Sequence, residues 1–390
     1  MASTSMELSS NIMALPSEVL IDIFSRLSVK HVHQLQTVSN QWLRTISSPH
    51  FRRLYNMKSM TRPRALVVEE SDQTYSRPSG IGPLSRIITI STIDLAGDNK
   101  IQKEFSFKIV GREYSFCVSS NLIIFNHKVC NPTTREIIDL PNYSNYQSVS
   151  FDVGYIPYTN TYKIVRLFGT DRGANYNCNY ASKILEFGFE TLTLTDGGPI
   201  PSSWRSMTHR EQFSVKVDAT CVDGVLYCLV RKGDIKEDRI VSMEIENEEF
   251  LTISCPQEDN QKLFENGQLT DLNGKLCLAY YSKELSRMCI FLLKDPKNQT
   301  WMKEYDIHLP RMGDWVRIVG YSNGDILIQG KTPLLYNIKE KRGRKLRKSN
   351  KNYTRLYYDR CFTLDRSRLR MQRRESSPIR NFHRKVQNVR

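Results

Sequence analysis

A chain of 390 residues, 39% hydrophobic and 25% charged, holds enough apolar surface to pack without disulfide or metal staples and allows one to three domains. No apolar run reaches the ~18 residues of a membrane span, and residues 1–13 lack the basic and apolar regions of a secretory signal. The net charge of +15 sits at one end: residues 339–390 hold 19 Lys/Arg against 4 Asp/Glu, and the rest of the chain is balanced.

Residues 13–55 read as helical. Pro16 suits a first turn and Ser17 can cap it. Val19, Leu20, Ile23, Phe24 and Leu27 then cover about 140° of a helix, wide enough to face both a small core and a partner. Ser28 can cap a second helix, along which Val29, Val32, Leu35 and Val38 recur. Trp42 and Ile46 continue an apolar face until Ser48-Pro49 ends it. Helices this short are marginal alone, so help from a partner is expected.

From residue 64 to 338 the period moves towards two, and short apolar strands alternate with Gly, Asn, Asp and Pro. Candidates include Arg86–Leu95, Ser115–Phe125, Tyr162–Phe168, Ile184–Leu194, Ala219–Val230, Gln268–Tyr280, Met288–Leu293 and Arg317–Gln329. Asp223-Gly224, Asn273-Gly274 and Asn323-Gly324 are spaced evenly between apolar runs, with Ser120-Asn121 as a weaker copy. Such dipeptides supply the positive φ of tight hairpins. Repeats of ~40–50 residues with several strands each point to propeller blades, five or six in number, with an evenly spaced β-sandwich as the alternative.

The nine cysteines form no Cys-x-x-Cys pair, and several lie in apolar runs, as Cys228 does. Reduced thiols in the cytosol or nucleus are expected, with no metal site and no cofactor. Asn142, Asn298 and Asn352 begin sequons that have no meaning without a secretory route.

Two segments carry a family resemblance. Leu15-Pro16-Ser17-Glu18-Val19-Leu20, continuing to Arg26-Leu27, and later Val38-Ser39-Asn40-Gln41-Trp42 with Ser48-Pro49-His50-Phe51, resemble the opening and close of an F-box. Ser39 and Asn40 stand where plant members often have Cys and Lys. The resemblance implies a Skp-type adaptor as partner and, through it, cullin and RING subunits. Carried over by position, Leu15, Pro16, Leu20, Ile23, Leu27 and Trp42 would contribute to the adaptor contact. Within 64–338, Asn131-Pro132-Thr133-Thr134, Leu140-Pro141, Phe151-Asp152-Val153-Gly154-Tyr155, Tyr162-Lys163-Ile164-Val165 and Ser203-Trp204-Arg205 resemble the F-box-associated, kelch-like domain of plant proteins.

The expected architecture is therefore a multidomain α+β chain: a small helical F-box (13–55), a mainly-β, propeller-like recognition domain (64–338) and a basic tail (339–390). The expected function is that of a substrate-recognition subunit in an SCF-type cullin–RING ubiquitin ligase. The target, and the residues that bind it, are not legible. No P-loop or His-Glu-x-x-His occurs, and the seven histidines are scattered, so no catalytic residue is expected. Trp204, Trp301 and Trp315 read either as blade packing or as a recognition face. The run Lys339–Lys348 reads as a solvated end, a nuclear signal or a polyanion contact. Nucleic-acid binding through the tail is thus the competing function.

Overall fold

The computed structural model describes residues 15–27, 29–48, 50–51, 54–55, 64–73, 76–77, 80–81, 85–94, 101–110, 116–119, 122–125, 127–130, 137–144, 147–156, 159, 161–169, 187–195, 198–208, 213–232, 237–256, 263–309, 312–313, 316–322, 324–346 and 353–357. Ser28, Ser120-Asn121, Asn131–Thr134, Trp315 and Asn323, singled out above, lie outside these residues.

Among the described residues the first elements are the helices α1 (Ser17–Ser25), α2 (Val29–Leu35) and α3 (Asn40–Ser47). Ser17 is not the cap of α1. Pro16, extended at ψ 148°, takes that place, and its carbonyl accepts from the amides of Val19 and Leu20 at 3.1 Å. The fixed φ of proline suits this junction, which moves Ser17 inside the helix. Ser39 does cap α3, accepting from the Trp42 amide at 3.1 Å.

The remainder is a six-bladed β-propeller. The strands of the first blade begin with β1 (Arg64–Gln73), the small hairpin β2 (Ser76–Arg77) and β3 (Gly80–Ile81), then β4 (Ser85–Asp94) and β5 (Ile101–Val110). The second blade is β6 (Phe116–Ser119), β7 (Leu122–Phe125), β8 (Lys128–Cys130) and β9 (Ile137–Asp139). The third is β10 (Gln147–Ile156), β11 (Thr161–Gly169), β12 (Phe187–Thr195) and β13 (Arg205–Thr208). The fourth is β14 (Phe213–Val222), β15 (Val225–Lys232), β16 (Glu237–Glu244) and β17 (Phe250–Ser254). After the short helix α4 (Leu263–Asn266) come the fifth blade, β18 (Gly267–Asp271), β19 (Leu276–Ser282), β20 (Arg287–Asp295) and β21 (Thr300–His308), and the sixth, β22 (Arg317–Ser322), β23 (Asp325–Gln329), β24 (Leu334–Asn337) and β25 (Arg342–Lys345). A last strand, β26 (Tyr353–Tyr357), returns to pair with β1, giving the order β26-β1-β4-β5.

Strands therefore continue past residue 338, where the charge count sets the end of the β region. β25 escapes a reading by composition because all four of its residues are exposed. β26 escapes because its partner β1 lies at the other end of the chain. The ring is closed by that pairing, with Leu66 opposite Tyr357 and Glu70 opposite Tyr353.

The innermost strands β6, β10, β14, β18, β22 and β26 follow one another around the axis. Each hydrophobic core lies between two blades, and alternation along one strand feeds two of them. On β15, Leu226, Cys228 and Val230 pack against Val165, Leu167 and Phe189 of the third blade. Tyr227 and Leu229 of the same strand face Leu269, Leu276 and Leu278 of the fifth. The first blade meets the second through Ile88, Ile90 and Phe125 and the sixth through Val67, Ile93 and Leu327.

The evenly spaced dipeptides sit where two inner strands of a blade join. Asp223 and Gly224 have φ of 50° and 80°, Asn273 and Gly274 of 60° and 75°, and Gly324 of 88°. Consecutive left-handed residues match the twist of a two-residue hairpin. Gly154 serves another end: a Cβ there would lie 2.4 Å from the Ile245 side chain, so its absence lets the fourth blade press onto β10.

Two tryptophans tie outer strands of neighbouring blades. The Trp204 indole donates to the Pro141 carbonyl at 2.9 Å, and that of Trp301 to the Ser254 carbonyl at 2.8 Å. Each stands at the start of one blade's outermost strand and reaches the end of the previous blade's. Both are thus blade-packing residues. Trp301→Phe keeps the ring but orphans a carbonyl, and a loss of about 1–3 kcal/mol is expected by urea unfolding.

Candidate docking face on the N-terminal helices

The helices build a separate small core. Leu20, Phe24, Val32, Trp42, Ile46, Phe51 and Tyr55 are buried together, with Leu15, Ile21, Leu27 and Leu35 packed at their edge. No strand residue belongs to this cluster. Phe24 and Trp42 meet edge-to-face with centroids 5.0 Å apart, a geometry favoured by the ring quadrupoles. The Tyr55 hydroxyl donates to the Leu27 carbonyl at 3.0 Å, closing the bundle.

The apolar residues of α1 divide between two faces. Leu20 and Phe24 point into the core, whereas Val19 and Ile23 are 41% and 42% exposed. Pro16, also exposed, Val19 and Ile23 follow at intervals of three and four residues, with half-buried Leu27 one turn further. That spacing lines them along one side of the helix. Val38, in the turn before α3, is 51% exposed. An ion pair between Asp22 and Arg26 at 2.7 Å stays in solvent.

The six positions carried over from the F-box resemblance thus fall into three groups. Pro16 and Ile23 are presented outward. Leu15 and Leu27 border core and surface. Leu20 and Trp42 are buried within the bundle, and the Trp42 indole N–H has no hydrogen-bond partner among the described residues. Trp42 therefore acts by packing, holding α3 against α1. Val19 completes the outer strip and was not among the six. Its place one turn before Ile23 could have identified it.

Four propeller thiols are buried and held protonated. Burial holds the Cys130 and Cys255 thiols up to about 12, and it also raises those of Cys228 and Cys277. Such thiols are poor nucleophiles. No cluster of three His, Cys, Asp or Glu with metal-binding geometry occurs among these residues.

Comparison with known proteins follows the same division. An F-box-like family model matches residues 12–57, and the model of an F-box associated beta propeller domain matches residues 87–347. Two Arabidopsis thaliana relatives are similar over most of the chain. F-box protein At1g47340 is 24% identical over 355 residues, covering 81% of this chain and 69% of its own length. F-box protein At3g07870 is 26% identical over 376 residues, covering 85% of this chain and 86% of its own.

Proposed function

The chain belongs to the F-box proteins that carry an F-box associated β-propeller domain, and from that premise we propose that it is the target-recognising subunit of an SCF-type cullin–RING ubiquitin ligase. The observation that carries the proposal is the strip Pro16, Val19 and Ile23. It lies on a helix whose opposite face is already satisfied by its own core. A Skp-type adaptor covers the strip, and cullin and RING subunits join through that adaptor. Aliphatic anchors in a groove supply most of the affinity of such a contact.

The propeller holds a protein target. The chain contributes no reactive group of its own; it brings the target to the charged ubiquitin at high effective concentration. Its place of action is the cytosol or nucleus, where buried thiols such as Cys228 stay reduced.

Co-purification tests this reading. The intact chain retains a Skp-type adaptor, and Val19→Asp with Ile23→Asp weakens the complex about thirtyfold or more, since losing even one buried anchor removes ~2 kcal/mol. Leu251→Asp, an exposed change on β17, leaves retention intact. An intact chain that binds no adaptor, or a double variant that binds it equally well, overturns the proposal.

A further inference from the structure

Each outermost strand sets one residue near its start against the blade before it. Ile101 stands opposite Ile93, Ile137 opposite Cys130, Phe250 opposite Met243, Trp301 opposite Leu293 and Gly343 opposite Tyr336. Trp204 packs beside Leu192 in the same way. The third-strand member of each pair belongs to the core shared with the preceding blade. Opposed residues share a face, so this place looks towards that blade. It is apolar in five blades and glycine in the sixth.

Gly343 cannot make the tie that Trp204 and Trp301 make to the blade before them. Leu334 leans over it instead, since a Cβ there would lie 2.8 Å from Leu334 Cδ1. The rim between the fifth and sixth blades is left apolar and wet. Met302 and Tyr305 face the sixth blade, because they stand opposite Leu292 and Ile290 of the shared core. Leu334, Tyr336 and Ile338 face the fifth. Met302 is 45% exposed and the other four are half-buried. Together they form a slot open to solvent where other blades insert a side chain of their own.

The slot is flanked by cations. Lys341 and Lys345 stand two residues on either side of Gly343, and both are exposed. Lys345 pairs with Leu334 and so shares the face turned to the fifth blade. Neither lysine has a carboxylate partner among the described residues. Lys339 is exposed beside them, against Glu340. The acids of β21 are already engaged, Glu304 with Lys294 and Asp306 with Arg287. Residues 358–390 of the chain hold 10 Lys/Arg against 3 Asp/Glu, so this rim repels the chain's own tail.

We propose that this slot between the fifth and sixth blades docks an aromatic residue, flanked by carboxylates, from a segment of a partner protein. The partner's ring takes the place that Trp301 and Trp204 fill at other rims, against Met302, Tyr336 and Leu334. Its flanking carboxylates meet Lys341 and Lys345. A buried aromatic anchor supplies most of the affinity, and the cations select the segment that carries it. A nucleic acid would satisfy the lysines, but the polar edges of its bases find no partners on aliphatic walls, so a polypeptide fits better. The slot rests on the reading that the propeller takes a protein. It is separate from the adaptor strip.

Fluorescence anisotropy with the full chain tests the proposal, using a short labelled peptide in which two acidic residues flank a tryptophan on each side. The peptide binds, and a counterpart with alanine in place of tryptophan binds about thirtyfold or more weakly. Met302→Glu weakens binding about tenfold, by placing a carboxylate on the slot. Lys341→Glu with Lys345→Glu does so to a similar degree at low salt. Leu251→Asp, at the rim that Trp301 closes, leaves binding unchanged. Gly343→Trp with Leu334→Ala gives the sixth blade an indole of its own and no longer binds. Thermal melts certify folding, and Met302→Glu, altered only at an exposed side chain, keeps the test valid if the filled variant melts early. Met302→Glu retains the Skp-type adaptor as the intact chain does, so the two readings fail separately. Absence of peptide binding, or equal binding by the alanine peptide or by Met302→Glu, overturns the proposal. So does an oligouridine RNA that binds more tightly than the peptide, or a chain ending at Tyr357 that binds the peptide tenfold more tightly than the full chain, since its own tail would then hold the slot.

Discussion

Ending the chain after Lys351 unfolds the propeller, whereas ending it after Tyr357 keeps β26 and with it the propeller transition. The two truncations differ by β26. Without that strand the first blade keeps β1, β4 and β5 but loses its innermost member, and five paired positions on β1 from Leu66 to Glu70 face nothing. At ~1 kcal/mol for each lost pairing, the deficit is comparable with the roughly 5–15 kcal/mol that holds a domain folded. The ring also loses the contact between β22 and β26 that closes its inner circle. Scanning calorimetry reads the result: the long truncation keeps the propeller transition and the short one loses it. The helical bundle, with a core of its own, keeps its far-UV signal in both. A propeller transition that survives removal of residues 352–390 would mean that the interfaces of the first blade with the second and sixth close the ring unaided.

That contrast shows where the sequence is legible. Its readable parts are those whose chemistry is local. Asp223-Gly224 and Asn273-Gly274 announce hairpins because left-handed backbone demands those residue types. The α1 stripe announces a two-faced helix because its apolar residues cover more than one core can use. The outermost strands are the illegible ones. Along β21 only Ile307 is fully buried, and β25 has no buried residue at all, so neither shows a clean period of two. β26 pairs across nearly the whole chain, a contact that no local pattern encodes. The Trp204 and Trp301 ties are hidden for a similar reason: a carbonyl acceptor has no side-chain signature. On the candidate site, spacing shows that one helix is wet and apolar at once. It does not show that Leu20 falls inside and Val19 outside, which the path of α3 against α1 decides.

The largest effect of a single substitution is expected at Arg166, the bulkiest fully buried side chain among the described residues. It stands directly opposite Glu190 across β11 and β12 and forms a buried ion pair with it. Its guanidinium also donates to the Ser144 hydroxyl at 2.9 Å and lies 4.0 Å above the Tyr143 ring. Burial pulls the Arg166 pKa below its ordinary value, and the Glu190 carboxylate opposes that shift. Glu190 in turn accepts from the Ser144 amide and the Ser206 hydroxyl, both at 3.3 Å. The network therefore joins β11, β12, β13 and the segment leaving the second blade. Arg166→Met leaves a carboxylate in the interior, and Glu190→Met leaves a guanidinium. Each is expected to lose about 3–5 kcal/mol in urea unfolding. The double Met variant removes both charges and is expected to lose less than either single one, because apolar side chains of similar volume replace a pair whose desolvation largely offsets its attraction. Single losses below about 1 kcal/mol, or a double loss equal to the sum of the two, would show that solvent reaches the pair and that Arg166 is held by stacking on Tyr143 instead of by charge.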